Sequence, residues 1–237
     1  MSAALAQHAD LAYVLHSFPY RETSMVVEFF SRGGGRFGAV ARGAKRPQSQ
    51  LRGSLQAFQP LRVSWFGKNE LRTLRHVEWV GGRSRLDGAR LLCGYYLNEL
   101  LLRLVPREDP NERLFDAYDA VLAELEGGAS EQVSLRRFER QLLQELGIAP
   151  TLTADAAGAP VAPAAYYRLV PESGLHPCAE RAAGGVTGKA LMDLAGGDFS
   201  DPRSLLQMKR FMRQVIDHQL DGKVMVTRGV FEQLQGL

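Results

Sequence analysis

Five short strand-like segments crowd the first 80 residues, and no stretch between them is long enough for the helix of a parallel crossover. Residues 11–18 (LAYVLHSF) and 25–30 (MVVEFF) are rich in β-branched and aromatic side chains, joined by the polar run 19–23 (PYRET). Gly33, Gly34 and Gly35 supply the backbone freedom for a tight reversal into residues 36–43 (RFGAVARG). Alternation there sends Phe37, Ala39 and Ala41 to one face and Arg36, Gly38 and Arg42 to the other. A basic loop around Pro47 fills residues 44–57. Strands at 61–66 (LRVSWF) and 71–80 (LRTLRHVEWV) flank the turn at Gly67, Lys68 and Asn69. Such a chain closes into a small antiparallel barrel, of the five-stranded OB type or an SH3-like one, and strand period is the same for both.

The barrel segment is also where the positive charge collects. Residues 29–69 carry eight basic side chains (Arg32, Arg36, Arg42, Lys45, Arg46, Arg52, Arg62 and Lys68) and no acid, interleaved with Phe29, Phe30, Phe37, Phe58, Trp65 and Phe66. Positive charge with scattered rings suits a polyanion whose flat bases can stack, which is single-stranded nucleic acid. The plainer reading is a solvated basic face on an ordinary barrel. Arg36, Arg42, Lys45 and Arg46 are the candidate phosphate contacts, with Gly38 letting the phosphate chain approach the backbone. Arg21, Arg52, Lys68 and Arg72 are outlying candidates. Phe37, Trp65 and Phe66 are candidate stacking rings, although Phe37 points away from the arginines and so toward the core. The whole-chain charge of +3 hides this asymmetry. Residues 1–82 hold 11 Lys+Arg against 5 Asp+Glu, a balance of +6, and the remainder holds 18 against 21, or −3. That split implies two modules with different partners.

After Gly81 and Gly82 the pattern turns helical, so the chain divides into a barrel at 1–82 and a helical domain at 83–237. Residues 89–105 are apolar nearly all round and predict a buried central helix, stopped by Pro106. Asp109, Pro110 and Glu112 predict a capped start for a helix through Leu114, Tyr118, Val121, Leu122 and Leu125. A further helix spans about 134–146, with Leu135, Phe138, Leu142 and Leu146 inward. Residues 148–185 form a long irregular insertion containing a low-complexity loop at 151–165 and a short strand at 166–170. A brief helix at 188–194 and a last one from the Asp201–Pro202 cap to about residue 220 complete an α+β chain. On that last helix Lys209, Arg210 and Arg213 oppose the core stripe, and Arg210 and Arg213 join the candidate DNA contacts. Arg136, Arg137 and Arg140 form a second basic helix face, a candidate for partner binding.

No active site emerges. Residues 183–190 resemble a phosphate-binding loop but carry Ala183 and Ala190 where a glycine and a metal-binding hydroxyl are needed, so a turn with Thr187 capping a short helix is favoured. His176 and Cys178 are too sparse for a metal or a nucleophile pair. Glu99, a lone acid in an apolar helix, must find a donor, either an arginine or a loop it caps. Cys93 and Cys178 make neither a disulfide framework nor a zinc site, which fits a reducing cytoplasm. The amino terminus lacks a secretory pattern, and no apolar run approaches the ~20 residues of a membrane span. The expectation is a cytoplasmic protein that is not an enzyme and takes no cofactor, no metal and no membrane.

Several segments together resemble the RecO family of bacterial DNA-repair mediators. They are residues 13–17 (YVLHS) with 21–24 (RETS), 35–45 (GRFGAVARGAK), 55–60 (LQAFQP), 96–102 (YLNELLL), Leu114 with Phe115, 135–147 (LRRFERQLLQELG) and 220–228 (LDGKVMVTR). The resemblance implies an amino-terminal OB-fold followed by a helical domain. It also implies binding of single- and double-stranded DNA and annealing of complementary strands. The implied partners are RecR, the carboxy-terminal tail of single-stranded DNA-binding protein and, indirectly, RecA, with association to the nucleoid during repair. Some family members carry a four-cysteine zinc site after the helix corresponding to 134–147; here 151–163 has no cysteine and Asp155 stands in that region, so no zinc and a subdomain held by packing alone are expected. The rival readings are an OB-fold RNA-binding protein and a non-catalytic adaptor.

Overall fold

The computed structural model describes residues 8–67, 70–180 and 182–235. Strands β1 (His8–Tyr20), β2 (Ser24–Ser31), β3 (Gly35–Ala41), β4 (Leu61–Phe66) and β5 (Leu71–Trp79) close into a barrel in the order β1-β2-β3-β5-β4. β1 pairs antiparallel with both β2 and β4, and β3 closes on β5 as a parallel pair from Gly38↔Leu71 to Val40↔Thr73. This is the OB arrangement, which decides between the two barrels left open by strand period.

Alternation fills the interior with Ala12, Val14, Val27, Phe29, Phe37, Ala39, Leu61, Val63 and Trp65. Phe37 stacks on Phe29 at 5.4 Å and meets Trp65 at 4.3 Å between ring centres. Trp65 is only 3% exposed, which corrects its reading as a base-stacking ring: it has no free face. Phe66 is half-buried. The basic loop contains a short helix, α1 (Gln50–Ser54), with Leu51 and Leu55 packed on the barrel core. Five residues are too few to show a helical period, so nothing in the pattern announces it.

The chain continues through α2 (Gly88–Leu104), α3 (Glu112–Glu126), α4 (Glu131–Glu145), β6 (Tyr166–Val170), β7 (Gly174–Cys178), β8 (Val186–Thr187), α5 (Gly188–Gly196), α6 (Pro202–Gln219) and α7 (Val226–Gln235). It packs as two compact units, Met1–Gly127 with Thr227–Leu237, and Gly128–Val226. The barrel therefore shares its unit with α2 and α3.

One buried amide joins these elements. β1 carries a bulge between Val14 and His16, and a bulge leaves backbone groups without ladder partners. Asn98 of α2 donates to the Leu15 carbonyl at 2.9 Å, and its own carbonyl accepts from the Tyr118 hydroxyl of α3 at 2.5 Å. At 2% exposure Asn98 has no water to fall back on. The cap of α3 is Asn111, whose Oδ1 accepts from Leu114 N at 2.9 Å, rather than the expected Asp109. Glu99 finds the anticipated arginine, and its second donor stands at the start of α7 rather than in a loop. It pairs with Arg103 at 2.8 Å, and it accepts from Thr227 N at 2.9 Å and Thr227 Oγ1 at 2.7 Å. The Thr227 segment is thereby seated on α2, with the Arg228 guanidinium 5.9 Å from the Tyr96 ring centre.

The second unit combines α4, α5 and α6 with a small sheet in the order β7-β6-β8, around a core that includes Leu143, Val161, Tyr167, Leu175, Met208 and Phe211. Packing is not all that holds residues 151–165. Asp155 Oδ1 accepts from Ala157 N and Ala159 N, both at 2.9 Å, closing a turn, and Tyr167 OH accepts from Ala162 N at 2.9 Å. Among the described residues no group of three or more His, Cys, Asp or Glu is placed to hold a metal, and no helix is long and apolar enough to cross a membrane.

Replacing Asn98 with leucine removes a hydrogen bond from the bulged carbonyl and one from the Tyr118 hydroxyl. The expected loss is about 3 kcal/mol of unfolding free energy, read from the urea midpoint of the first unit.

Candidate nucleic-acid interface

In an OB barrel the β2–β3 face and the neighbouring loops are the usual seat for oligonucleotides. Here that face is built over. Phe30 and Tyr13 point outward from β2 and β1 and pack against Phe115 and Tyr118 of α3, with ring centres 5.1–6.1 Å apart. The segment after α2 runs along β3: Glu108 N donates to the Arg36 carbonyl at 2.9 Å, and Arg36 Nε donates to the Val105 carbonyl at 2.9 Å. Glu28, nearly buried on β2, takes Arg107 as a hydrogen-bonded ion-pair partner and Arg36 at 3.5 Å. Burial lowers the Arg36 pKa, opposed by Glu28 and reinforced by Arg107. Gly38 makes room for this cluster, since a Cβ there would lie 3.1 Å from Glu28 Oε1 and 3.5 Å from an Arg107 nitrogen. Arg36 thus faces a carboxylate and a carbonyl, and the glycine beside it admits an ion pair in place of a phosphate.

Arg72 is likewise engaged. It pairs with Glu108 at 2.9 Å and places its guanidinium 4.6 Å from the Phe37 ring centre and 5.4 Å from that of Trp65. The sequence pattern set Arg36 and Arg72 among the phosphate contacts; both are half-buried against partners of their own.

Four cations of the segment between β3 and β4 stay free. Arg42, Lys45, Arg46 and Arg52 are exposed and have no acidic partner among the described residues. Gly43, at φ 70, turns the chain after β3, and Arg46 N donates to Gly43 O at 3.0 Å. Lys45 N donates to Thr23 O at 2.9 Å, tying this loop to the β1–β2 turn that carries exposed Arg21. Arg21 stands at φ 52 with its guanidinium 5.1 Å from the Tyr20 ring centre. Arg42, Gly43, Arg46, Pro47, Gln48 and Ser49 line an open cleft of about 640 Å³. Lys68 lies outside the described residues.

A second cleft, of about 230 Å³, lies beyond α1 and is lined by Gly53, Ser54, Gln56, Gln59, Trp79, Arg83 and Arg85. Trp79 ends β5 with 61% of its surface exposed. Strand alternation gave no reason to single it out, because the residue sits where the pattern runs into the glycines. Arg83 is committed elsewhere, pairing with Asp119 at 2.5 Å and with Glu126 at 3.6 Å.

In the second unit the Arg136, Arg137 and Arg140 face divides. Arg136 is buried and bidentate to Glu139, with Nε 2.7 Å from Oε2. Arg140 donates to the Ala195 carbonyl at 2.7 Å near the end of α5. Arg137 is exposed, 5.9 Å from the Phe199 ring centre. Arg210 and Arg213 are exposed on α6, with Asp217 3.9 Å from Arg213. The loop that resembles a phosphate cradle is structural: Thr187 caps α5 by accepting from Ala190 N at 3.2 Å, and Lys189 pairs with Asp193 at 2.5 Å and Asp201 at 3.3 Å. His176 meets Ser173 Oγ at 2.7 Å, on an exposed turn.

The chain matches two family models, "Recombination protein O N terminal" over residues 5–83 and "Recombination protein O C terminal" over residues 85–228. Among curated proteins it is similar to the DNA repair protein RecO of Nitrosospira multiformis, 46% identical over 98% of this chain and 97% of that one. It is 48% identical to the DNA repair protein RecO of Dechloromonas aromatica over 95% and 96% of the two chains. The namesake from an Azoarcus species is 47% identical over 94% of both.

Two outcomes are expected from the buried and capping acids. Glu28→Gln leaves Arg36 and Arg107 facing each other without a counter-charge and lowers unfolding free energy by about 2–3 kcal/mol, while DNA affinity does not fall. Glu126 is held below its ordinary pKa by the Ser84 N–H with help from Arg83, and Asp116 by its hydrogen bond from Arg32. Depressed carboxylates contribute stability above the unfolded range near pH ~4, and that stability is lost as pH falls through the folded values. The melting temperature of the first unit therefore drops below about pH 4, and Glu126→Gln makes the drop shallower.

Proposed function

This chain belongs to the recombination protein O family, and we propose that it is a DNA repair protein of homologous recombination. On this reading it binds single- and double-stranded DNA and anneals complementary strands. With RecR, it helps place RecA on DNA coated with single-stranded DNA-binding protein. The observation that carries the DNA-binding part is the cluster of exposed cations at Arg42, Lys45, Arg46 and Arg52, which has no acidic partner among the described residues.

Annealing needs no covalent chemistry. Two strands repel through their phosphates, and a surface that neutralises some of that charge lowers the cost of bringing them together. Arg42, Lys45, Arg46 and Arg52 are the phosphate contacts proposed, with Arg21 at the adjoining turn, and Lys68, outside the described residues, is kept from the sequence reading. Arg36 and Arg72 are engaged by the Val105 carbonyl, Glu28 and Glu108 instead. Contacts to backbone phosphates carry no base information, so sequence preference is weak. The proposed division of labour gives nucleic acid to residues 1–82 and partners to residues 83–237. Exposed Arg137, Arg210 and Arg213 suit a phosphate chain or the acidic, hydrophobic tail of single-stranded DNA-binding protein. The proposed setting is the cytoplasm, at the nucleoid during repair.

The test pairs binding with annealing. Arg42→Glu combined with Lys45→Glu should weaken binding to single and double strands by about tenfold or more at ~0.1 M salt, with the melting temperature unchanged. The same variant should slow annealing of oligonucleotides precoated with single-stranded DNA-binding protein. Unchanged affinity removes the loop from the interface, and strong preference for RNA over DNA replaces the reading with an RNA-binding one.

A further inference from the structure

The exposed indole at Trp79 calls for a ligand. Large aromatic side chains left open to water forgo the stabilisation that burial gives, yet this one is held in place. Its Nε1 donates to Gln59 Oε1 at 3.3 Å. Gln59 is itself 7% exposed and fixed at both ends of its amide: Oε1 also accepts from Arg83 N at 3.1 Å, and Nε2 donates to the Arg83 carbonyl at 3.1 Å. Gly82 lies close beside the ring, where a Cβ would stand 3.2 Å from Trp79 Cζ2. The indole is gripped along its edge, and much of its surface remains uncovered. A side chain ordered beforehand loses little rotamer freedom when something binds to it.

The surroundings specify the ligand. The cleft beside Trp79, at about 230 Å³, is smaller than the ~300–1,000 Å³ of ordinary small-molecule sites, and fits a single flat ring. Among the described residues no acid lines it, and Arg85 stands exposed on its wall. Gly53 and Ser54 bring the end of α1 to the cleft, so exposed Arg52 adjoins it in sequence. Arg42, Gly43, Arg46, Pro47, Gln48 and Ser49, just before α1 in sequence, line the basic cleft at the start of the same segment. The apolar surface on offer is one indole with Val80 beside it in sequence, rimmed by glutamine and arginine. That is stacking chemistry for a base between phosphates.

We propose that Trp79 is a stacking platform for one unpaired nucleobase, with Arg52 and Arg85 taking the flanking phosphates. The proposal rests on the DNA-binding reading above and deepens it. Paired bases are stacked inside a duplex and are not available to an outside ring, whereas an unpaired base can be. The loop cations then serve both forms of DNA, and Trp79 serves single strands alone.

The chain has only two tryptophans, and Trp65 is enclosed in the barrel, so Trp79 is the accessible reporter. Intrinsic fluorescence of the full chain is titrated with oligothymidylate, with an abasic strand of equal length and with a duplex. Oligothymidylate should quench the emission and the other two should not; Trp79→Phe should abolish the quenching and keep affinity within a few-fold. Trp79→Ala should weaken oligothymidylate binding by about tenfold and leave duplex and abasic-strand binding unchanged. Equal quenching by the abasic strand, or unaltered oligothymidylate affinity in Trp79→Ala, overturns the stacking site while the loop reading stands. Loss of duplex binding in Trp79→Ala to the same degree also overturns it. Absence of binding to any of the three by the unmodified protein defeats the DNA-binding reading itself, and the platform with it.

Discussion

A buried amide has to find its hydrogen bonds inside the protein, and the first unit is arranged around that requirement at Asn98. The β1 bulge presents a carbonyl that no strand can pair, and Asn98 reaches it from α2 while accepting from Tyr118 of α3. An unmet group there would cost as much as several well-made contacts contribute. Helix α2 is therefore held against β1, and α3 follows with Phe115 and Tyr118 over the rings of Tyr13 and Phe30. The outer face of an OB barrel, open elsewhere in this architecture, becomes an internal surface.

Covering that face redistributes the charge. Glu28 lies nearly buried and must be neutralised, which engages Arg36 and Arg107; Arg72 is drawn to Glu108. Withdrawing Arg36 or Arg107 to meet a phosphate would take from the nearly buried Glu28 one of its two counter-charges, and breaking a buried pair is costly. Cations that can meet a ligand at low cost include those of the segment between β3 and β4, Arg42, Lys45, Arg46 and Arg52, which are exposed and have no acidic partner among the described residues. Loops on a rigid barrel are also where binding residues generally sit. The edge-held indole of Trp79, at the end of β5, shares its cleft with Gly53 and Ser54 of α1, so the stacking surface adjoins the far end of the basic segment.

Much of this was legible beforehand, and the gaps have physical causes. The strands of the barrel, the Pro106 stop and the Thr187 and Asp201 caps follow from alternation and cap chemistry, and the cost of a lone buried acid required a donor for Glu99 without saying which. Helix α1 is too short for a period, and β8 has two residues. β7 contains a proline and a histidine and has no apolar alternation to betray it. Arg136 and Arg137 are adjacent and chemically identical, yet one is buried on Glu139 and the other exposed, because a helix turns about 100° per residue. Trp65 and Trp79 differ in the same way. The first points into the barrel, and the second ends the strand with 61% of its surface open.

The sequence by itself determined the five-strand barrel, the change to helix after the paired glycines, the basic bias of the amino-terminal half and the resemblance to its family. Each of these is written in local pattern, in a period of two or 3.6 residues or in a count of charges. Only the tertiary structure decided which cations are free. Arg36 is answered by Val105, 69 residues away, Tyr13 by Asp119 at a separation of 106, and Glu99 by Thr227 at 128. Whether a charge is available to a ligand depends on what stands opposite it in space, and separations of that length leave no periodic trace along the chain.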